Sequence, residues 1–293
     1  HLDEITTGHV ETYLLRLYDT GRSPHKRNGE YAKIGARTVN RVRSCLKQIL
    51  GEAVRLGYLK RNPVDPVFKF KEQPNPRGIL SREELWALLF RPDAVSAVWD
   101  GDRVHYLFTL TGAITGARQG EIRALRGRHV HREFIEINHG WDDVLNQPTD
   151  APKWGHRRVA TVPEAVGDLL LGWIDEIGAG ADGWVFPSPT DRAIPVTSYT
   201  VLKRFNAALA RAGITAEHRK RRNLVFHSLR HSLVTAMRAG AVDSWQAQHA
   251  VGHRTDKMFD HYSDHITPEH LGDVRAFQRR LMQPPEDTRK NLS

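Results

Sequence analysis

Apolar residues along most of this chain recur at steps of three and four, the spacing that gathers them on one side of an α-helix. Val10, Leu14, Leu15 and Leu17 predict a first short helix. The polar stretch from Gly21 to Gly35, rich in Gly and basic residues, has no such spacing. It reads as a polar surface loop. Val39, Val42, Leu46, Ile49, Ala53 and Leu56 then predict a longer helix from about Arg37 to Leu56, buried on one side. Gly57 and Asn62-Pro63 stop it. Pro63, Pro66, Pro74 and Pro76, set among Lys and Arg, give residues 63–78 the composition of a linker. Ser81 and Glu84 form a capping-box pattern ahead of Leu85, Leu88 and Leu89, which opens a second domain.

That second domain begins with helices, and Val104 to Ile114 is apolar enough for a core helix. Phe134–Ile137 and Arg158–Val162 predict two strands separated by a long loop, and Trp184-Val185-Phe186 a short strand ended by Pro187. Pro163 to Ile177 predicts a helix, and most of the remainder is helical. Leu271, Val274, Phe277 and Leu281 form one stripe of a last helix over 268–281. The expected fold is therefore mainly α with a small antiparallel β-sheet. A helical domain spans 1–66, a linker 67–78, an α+β domain 79–283, and a disordered tail 284–293.

Composition narrows the classes. An apolar share of 40% over 293 residues supports real cores. No apolar run approaches the roughly 20 residues that span a bilayer, so no membrane partner is expected. Cys45 is the only cysteine, which excludes an intramolecular disulfide and a thiolate zinc site and fits a reducing, intracellular setting. The first residue is His rather than Met, and the natural start is expected upstream. Lys and Arg total 43 against 34 Asp and Glu, a net charge of +9 that suits a polyanion as well as it suits simple solubility. Arg37, Arg41, Arg43 and Lys47 lie together on the expected outer face of the long helix, either solvated or laid on phosphates.

Four short segments of the second domain carry candidate chemistry. In Thr115-Gly116-Ala117-Arg118-Gln119-Gly120-Glu121 a glycine-bearing turn delivers Arg118 at a helix start, with Glu121 one turn on. Lys153 precedes a strand in Lys153-Trp154-Gly155-His156-Arg157-Arg158. In His227-Ser228-Leu229-Arg230-His231, His227 and Arg230 share a helical face. Ser228 stands where a zinc HExxH motif needs Glu, so His231 is read as a buried structural histidine. Gly252-His253 is followed by Tyr262.

Taken singly, each of these residues is ordinary; together they make a kit for metal-free phosphoryl transfer. Negative charge grows on the non-bridging oxygens of a phosphodiester during in-line attack, and two guanidiniums can bind those oxygens bidentately. A tyrosine hydroxyl, with an ordinary pKa of about 10, needs a base or cationic surroundings to attack. A 5′-oxygen needs a proton to leave, which a lysine can give. Two histidines can hold the phosphate or exchange protons near neutral pH.

The order Arg, Lys, His-x-x-Arg, His, Tyr resembles the tyrosine recombinases, the phage integrase family. It is carried by TGARQGE, the Lys before GHRRVATVP, HSLRH, VGH and HY, with nine residues from His253 to Tyr262. ARTVNRVRSCLKQILGEAVRLGYLKRNPV in the first domain resembles the family's helical core-binding domain. The resemblance implies a two-domain clamp on double-stranded DNA, and a site-specific recombinase that cuts and rejoins strands without metal, ATP or other cofactor. It implies that Arg118 and Arg230 bind the scissile phosphate, Lys153 is general acid, His227 assists proton transfer, His253 contacts the phosphate, and Tyr262 forms a 3′-phosphotyrosine link. Glu121 and His231 would support them. It also implies a homo-tetramer on DNA, with the helix 268–281 either docked on a neighbour or packed on its own domain. Accessory DNA-bending or directionality proteins, and a bacterial or phage-encoded, nucleoid-associated cytoplasmic location, belong to the same expectation. A catalytically silent DNA-binding protein of this fold, a metal-dependent hydrolase, and a type IB topoisomerase or resolvase remain the alternatives.

Overall fold

The computed structural model describes residues 1–27, 30–73, 76–152, 157–252 and 272–285, without the side chains of 23–32. The chain divides into two compact units, 1–75 and 76–293.

In the first unit, α1 (Thr7–Thr20) starts at Thr6, whose hydroxyl accepts from the His9 amide at 3.2 Å. It buries Val10 and Leu14, while Leu15 stays exposed. The stretch expected as a loop instead forms an antiparallel hairpin of β1 (Arg22–Arg27) and β2 (Glu30–Lys33), with Lys26 opposite Tyr31. The Gly/basic count hid it because two-stranded pairing rests on backbone bonds, which composition does not report.

The long helix α2 (Ala36–Arg55) buries Val39, Arg43, Leu50 and Ala53, at steps of four, seven and three that keep to one face. Two expectations fail here. Ile49 and Leu56 are exposed, and Leu50 takes the buried place. Arg43, expected on an outer DNA-facing surface, is 7% exposed and belongs to the buried stripe. Its Nε and Nη2 donate to the Val67 carbonyl at 3.0 and 2.6 Å, and Nη2 also reaches the Val64 carbonyl at 3.4 Å. Lys47 is exposed but pairs with Asp65 at 2.8 Å; Arg37 and Arg41 point to solvent.

Those bonds also revise the linker. Asn40 accepts from the Phe70 amide and donates to the Phe70 carbonyl, both at 2.9 Å, and the Phe70 ring packs on Tyr18 with centroids 4.8 Å apart. Residues 67–72 are therefore part of the first unit's packing. The proline count could not show this, because the anchors are side chains about thirty residues earlier.

The second unit opens as the capping box predicts. Ser81 Oγ accepts from the Glu84 amide, and Glu84 accepts from the Ser81 amide, at the start of α3 (Arg82–Leu85). Two π-helical turns, Trp86–Phe90 and Ala94–Val98, lead to α4 (Arg103–Thr115). This helix is buried on nearly every side from His105 onward. Its threonines fit there because each hydroxyl bonds a carbonyl one turn back, as Thr111 does to Leu107 at 2.8 Å. Phe108 sits at the centre, against Phe186 and Phe226.

After α5 (Gln119–Arg123), β3 (Phe134–Ile137) pairs antiparallel with β6 (Arg158–Thr161), setting Ile137 opposite Arg158. The long loop between them holds a second small ladder, β4 (Trp141–Asp142) with β5 (Gln147–Pro148). The helices α6 (Glu164–Glu176), α7 (Ser198–Arg211), α8 (Ala216–Arg221), α9 (Ser228–Ala239) and α10 (Ser244–Val251) follow. Residues 184–186 do not form the expected strand. Val185 donates to Leu125 and Phe186 accepts from Val196, giving lone bridges in a buried, extended connection.

The last helix, α11 (Gly272–Leu281), buries Val274, Phe277 and Leu281 within its own unit. Gln278, 1% exposed, donates to the carbonyls of Ile114 and Thr161, each at 2.8 Å. Its apolar stripe is thus packed within its own unit. Leu271 and the rest of 268–271 lie outside the described residues, as do 286–293 of the expected tail. The fold is mostly helical with small antiparallel sheets. No helix among the described residues is long and apolar enough to cross a membrane.

Candidate active site

Two helix ends and one strand start build the site. Gly116 and Gly252 cap the C-termini of α4 and α10 in the left-handed region, with φ of 63° and 64°. Their carbonyls point outward at the negative ends of two helix dipoles. Arg230, on the first turn of α9, fills the space between them. Its Nη1 donates to Gly116 O at 2.8 Å and its Nη2 to Gly252 O at 3.3 Å. Arg230 is 3% exposed.

The turn after Gly116 places Arg118 as the cap of α5. Its backbone amide donates to Glu121 Oε2 at 2.8 Å and its Nη1 to Oε1 at 2.7 Å. From the other side, Arg158 at the head of β6 donates from Nη2 to the same Oε2 at 2.7 Å. Burial alone would raise the pKa of Glu121, but Arg158 and Arg118 outweigh it and hold the carboxyl at about 2. Burial, with Arg158 and Arg118 close by, pulls Arg230 down to about 9, so it stays charged at neutral pH. Three guanidiniums thus stand near one carboxylate, two of them bonded to it, a surplus of positive charge suited to an anion.

The rings of His227 and His231 meet edge to face with centroids 5.0 Å apart. Partial burial, then His231, Arg230, Arg77 and Arg118, push His227 down to about 4, which leaves it neutral at neutral pH. His231 is also lowered, by burial and then Arg230 and Arg77. Both histidines are exposed, which corrects the reading of His231 as a buried structural residue. It lies one turn along α9 from His227, and that step stays on the open side of the helix.

The model of the phage integrase family matches residues 97–269. The chain belongs to the phage integrase family. Among solved structures it is similar to a lambda integrase dimer bound to a COC′ core site, with 20% identity and a TM-score of 0.60 over 90% of this chain. The chain spans 65% of that integrase. It is also similar to the Tn1549 transposon integrase in complex with a circular intermediate DNA, with 18% identity and a TM-score of 0.66, covering 95% of this chain and 86% of the other. A lambda integrase tetramer bound to a Holliday junction matches at 18% identity and a TM-score of 0.58 over 87% of this chain and 66% of that one. No curated protein sequence matches the chain.

Of the residues picked out from the integrase motifs, the structure brings Arg118, Glu121, His227, Arg230 and His231 to one face. Lys153, His253 and Tyr262 lie outside the described residues. They follow or precede described anchors: Lys153 comes shortly before Arg158, and His253 directly follows Gly252. Among the described residues no cluster of three His, Cys, Asp or Glu side chains is placed to hold a metal ion. Arg158 was missed. In the sequence it is the last of the basic run His156-Arg157-Arg158, and only its place at the start of the strand sets it apart.

Proposed function

We propose that this integrase-family chain is a site-specific DNA recombinase that cleaves and rejoins strands through a 3′-phosphotyrosine link. The observation that carries this reading is the cluster of Arg118, Arg158 and Arg230 around the single carboxylate of Glu121. A scissile phosphate entering between Arg118 and Arg230 would supply the missing negative charge. Charge that builds on its non-bridging oxygens during attack would be met by fixed donors, with no reorganisation at the moment of reaction.

The steps balance without an added cofactor. Tyr262 Oη attacks phosphorus and gives up its proton as the P–O bond forms. The P–O5′ bond breaks, and the 5′-oxygen takes a proton from Lys153. Rejoining reverses both transfers, so the bond energy stays in the covalent link and no ATP is needed. His227, neutral near pH 7 by virtue of its lowered pKa, has a free ring nitrogen to accept the tyrosine proton. His253, directly after the Gly252 that receives Arg230, contacts the same phosphate.

Double-stranded DNA is the proposed substrate, and the solved relatives bound to core sites and junctions as dimers and tetramers support several copies acting together. Such an enzyme works at the DNA of a bacterial or phage-infected cell. The test uses a nicked suicide duplex containing the recombination site. Wild type should form a covalent protein–DNA adduct, and Tyr262→Phe should bind the duplex but form none. An adduct that persists in Tyr262→Phe would overturn the assignment. A wild-type protein that binds duplex and never forms one would favour a silent DNA-binding protein of the same fold.

A further inference from the structure

Arg158 belongs to the cationic cluster but has no role in the bond-making and bond-breaking steps above, yet it is held as tightly as the residues that do. It opens β6, where pairing with Ile137 fixes its backbone. Its side chain is 9% exposed and lies between two parts of the phosphate site. On one side its Nη2 bonds Glu121 Oε2, the oxygen that also receives the Arg118 amide. On the other it packs against Gly252, where a Cβ would stand 3.0 Å from its Cδ and 3.2 Å from its Nε and Nη1. Gly252 is the residue whose carbonyl receives Arg230. Arg158 Nε is buried and has no hydrogen-bond partner among the described residues.

We propose that Arg158 is a positioning residue of the strand-transfer site: through Glu121 it aims Arg118, and through its contact with Gly252 it sets the turn that holds Arg230. This rests on the proposed strand-transfer reading. The alternative is that Arg158 serves the fold alone. A fold has little use for a cation nine-tenths buried with an idle donor beside two other guanidiniums, since burying charge costs more than an apolar side chain of equal volume. The arrangement makes sense where the excess positive charge is wanted. Arg158 locks one edge of Glu121, so the carboxylate cannot swing into the space a phosphate would take. With Glu121 pinned, Arg118 keeps its outward nitrogens free for the ligand. The glycine at 252 follows from the same packing: only a residue without Cβ lets the α10 turn close onto the guanidinium while its carbonyl reaches Arg230.

A positioning role predicts a pH signature that a purely structural role lacks. Glu121 is faced by Arg118 on its own helix, Arg158 on β6 and Arg230 on α9, with His227 near Arg118. Removing Arg158 deletes the first of the attractions that hold its carboxyl low. In Arg158→Met the carboxyl should therefore protonate at higher pH, releasing Arg118 there.

The experiment measures single-turnover cleavage of the suicide duplex from acidic to neutral pH for wild type, Arg158→Met, Arg158→Lys, Glu121→Gln and Arg158→Met/Glu121→Gln. Thermal midpoints are taken with and without inorganic sulfate. Partners that orient a reactive group commonly matter by about ten- to a hundred-fold, and Arg158→Met should lose turnover on that scale at neutral pH. Its acid limb should move to higher pH, and that movement should vanish in the double variant. Arg158→Lys, which keeps charge but not the planar fork, should shift the limb in the same direction by less. Sulfate should raise the midpoint of wild type more than that of Arg158→Met.

Equal turnover in Arg158→Met, or a loss parallel at every pH that Glu121→Gln does not alter, overturns the proposal. If Arg158→Met fails to fold, Arg158→Lys takes its place in the comparison, and the same two results support or overturn the role. If wild type forms no adduct, the strand-transfer reading fails, and the sulfate midpoints test the positioning role separately: equal stabilisation of both proteins overturns it.

Discussion

Arg43 offers a sharp test because sequence and structure assign it opposite roles. Its place among Arg37, Arg41 and Lys47 suggests a phosphate contact; its burial and bonds make it a strut between α2 and the turn at Val64–Val67. Arg43→Met keeps most of the aliphatic stem and removes the donors. The Val67 carbonyl loses two short bonds and the Val64 carbonyl one long one. A buried carbonyl left without a donor costs about 1–3 kcal/mol, so the change should cost roughly 2–5 kcal/mol. For a unit of this size each kcal/mol moves the midpoint by about 4–8 °C, so the shift should be roughly 10 °C or more. Calorimetry of the full chain reads it as a drop confined to the transition of the first unit. DNA affinity is then measured against salt, at a temperature where the variant is folded. Each phosphate contact contributes about 0.9 to the log–log salt slope, and Arg43→Met should leave that slope unchanged. Arg41→Ala is the converse. Arg41 is exposed, so its removal should change stability by no more than about 0.5 kcal/mol, while the slope falls if that face meets DNA. A midpoint unchanged in Arg43→Met together with a slope reduced by one contact would refute the structural assignment.

Three further outcomes follow from the second unit. Gln278→Leu removes both donors that tie α11 to Ile114 and Thr161, and should lower unfolding stability by about 2–4 kcal/mol, read from the urea midpoint; an unchanged midpoint would contradict the anchoring. Gly116→Ala puts a Cβ 2.9 Å from Val251 Cγ1 at a φ of 63°, and overpacking of this kind should cost about 1–3 kcal/mol while loosening the carbonyl that receives Arg230. A variant as stable as wild type would show that the turn has room. The His227 ring should titrate near 4 by NMR rather than near its ordinary 6.5. As pH falls from 6.5 toward 4 the unfolded chain binds a proton that the folded ring refuses, so this residue makes stability decline over that window. A midpoint near 6.5, or no change in that slope in His227→Asn, would count against the cationic surroundings.

What was legible in the sequence was local. The Ser81–Glu84 box, the glycine turn that delivers Arg118 and the pairing of Arg118 with Glu121 all act within three or four residues, where spacing is geometry. The core helix at 103–115 was legible because nearly every position is apolar or a threonine able to bond its own backbone. Misreadings cluster where the deciding partner is distant. Leu50 rather than Ile49 faces inward, a rotation of one residue that depends on where Val64 and Val67 return. The hairpin of β1 and β2 depends on pairing between strands that carry no apolar alternation.

Arg43 and Arg158 were missed for one shared reason: an arginine in sequence is taken to be at the surface, and both are buried. Their partners then separate them. Arg43 meets two main-chain carbonyls, groups that must be satisfied for the first unit to fold at all, and among the described residues no other guanidinium shares its hydrogen bonds. Arg158 meets a carboxylate that Arg118 already satisfies, beside an Arg230 whose own charge is discouraged by both. In the first arrangement Nε and Nη2 both reach main-chain acceptors of the unit's own fold. The second leaves positive charge and a buried donor over, and a site that stays incomplete until an anion arrives is one shaped by what it binds rather than by the fold that holds it.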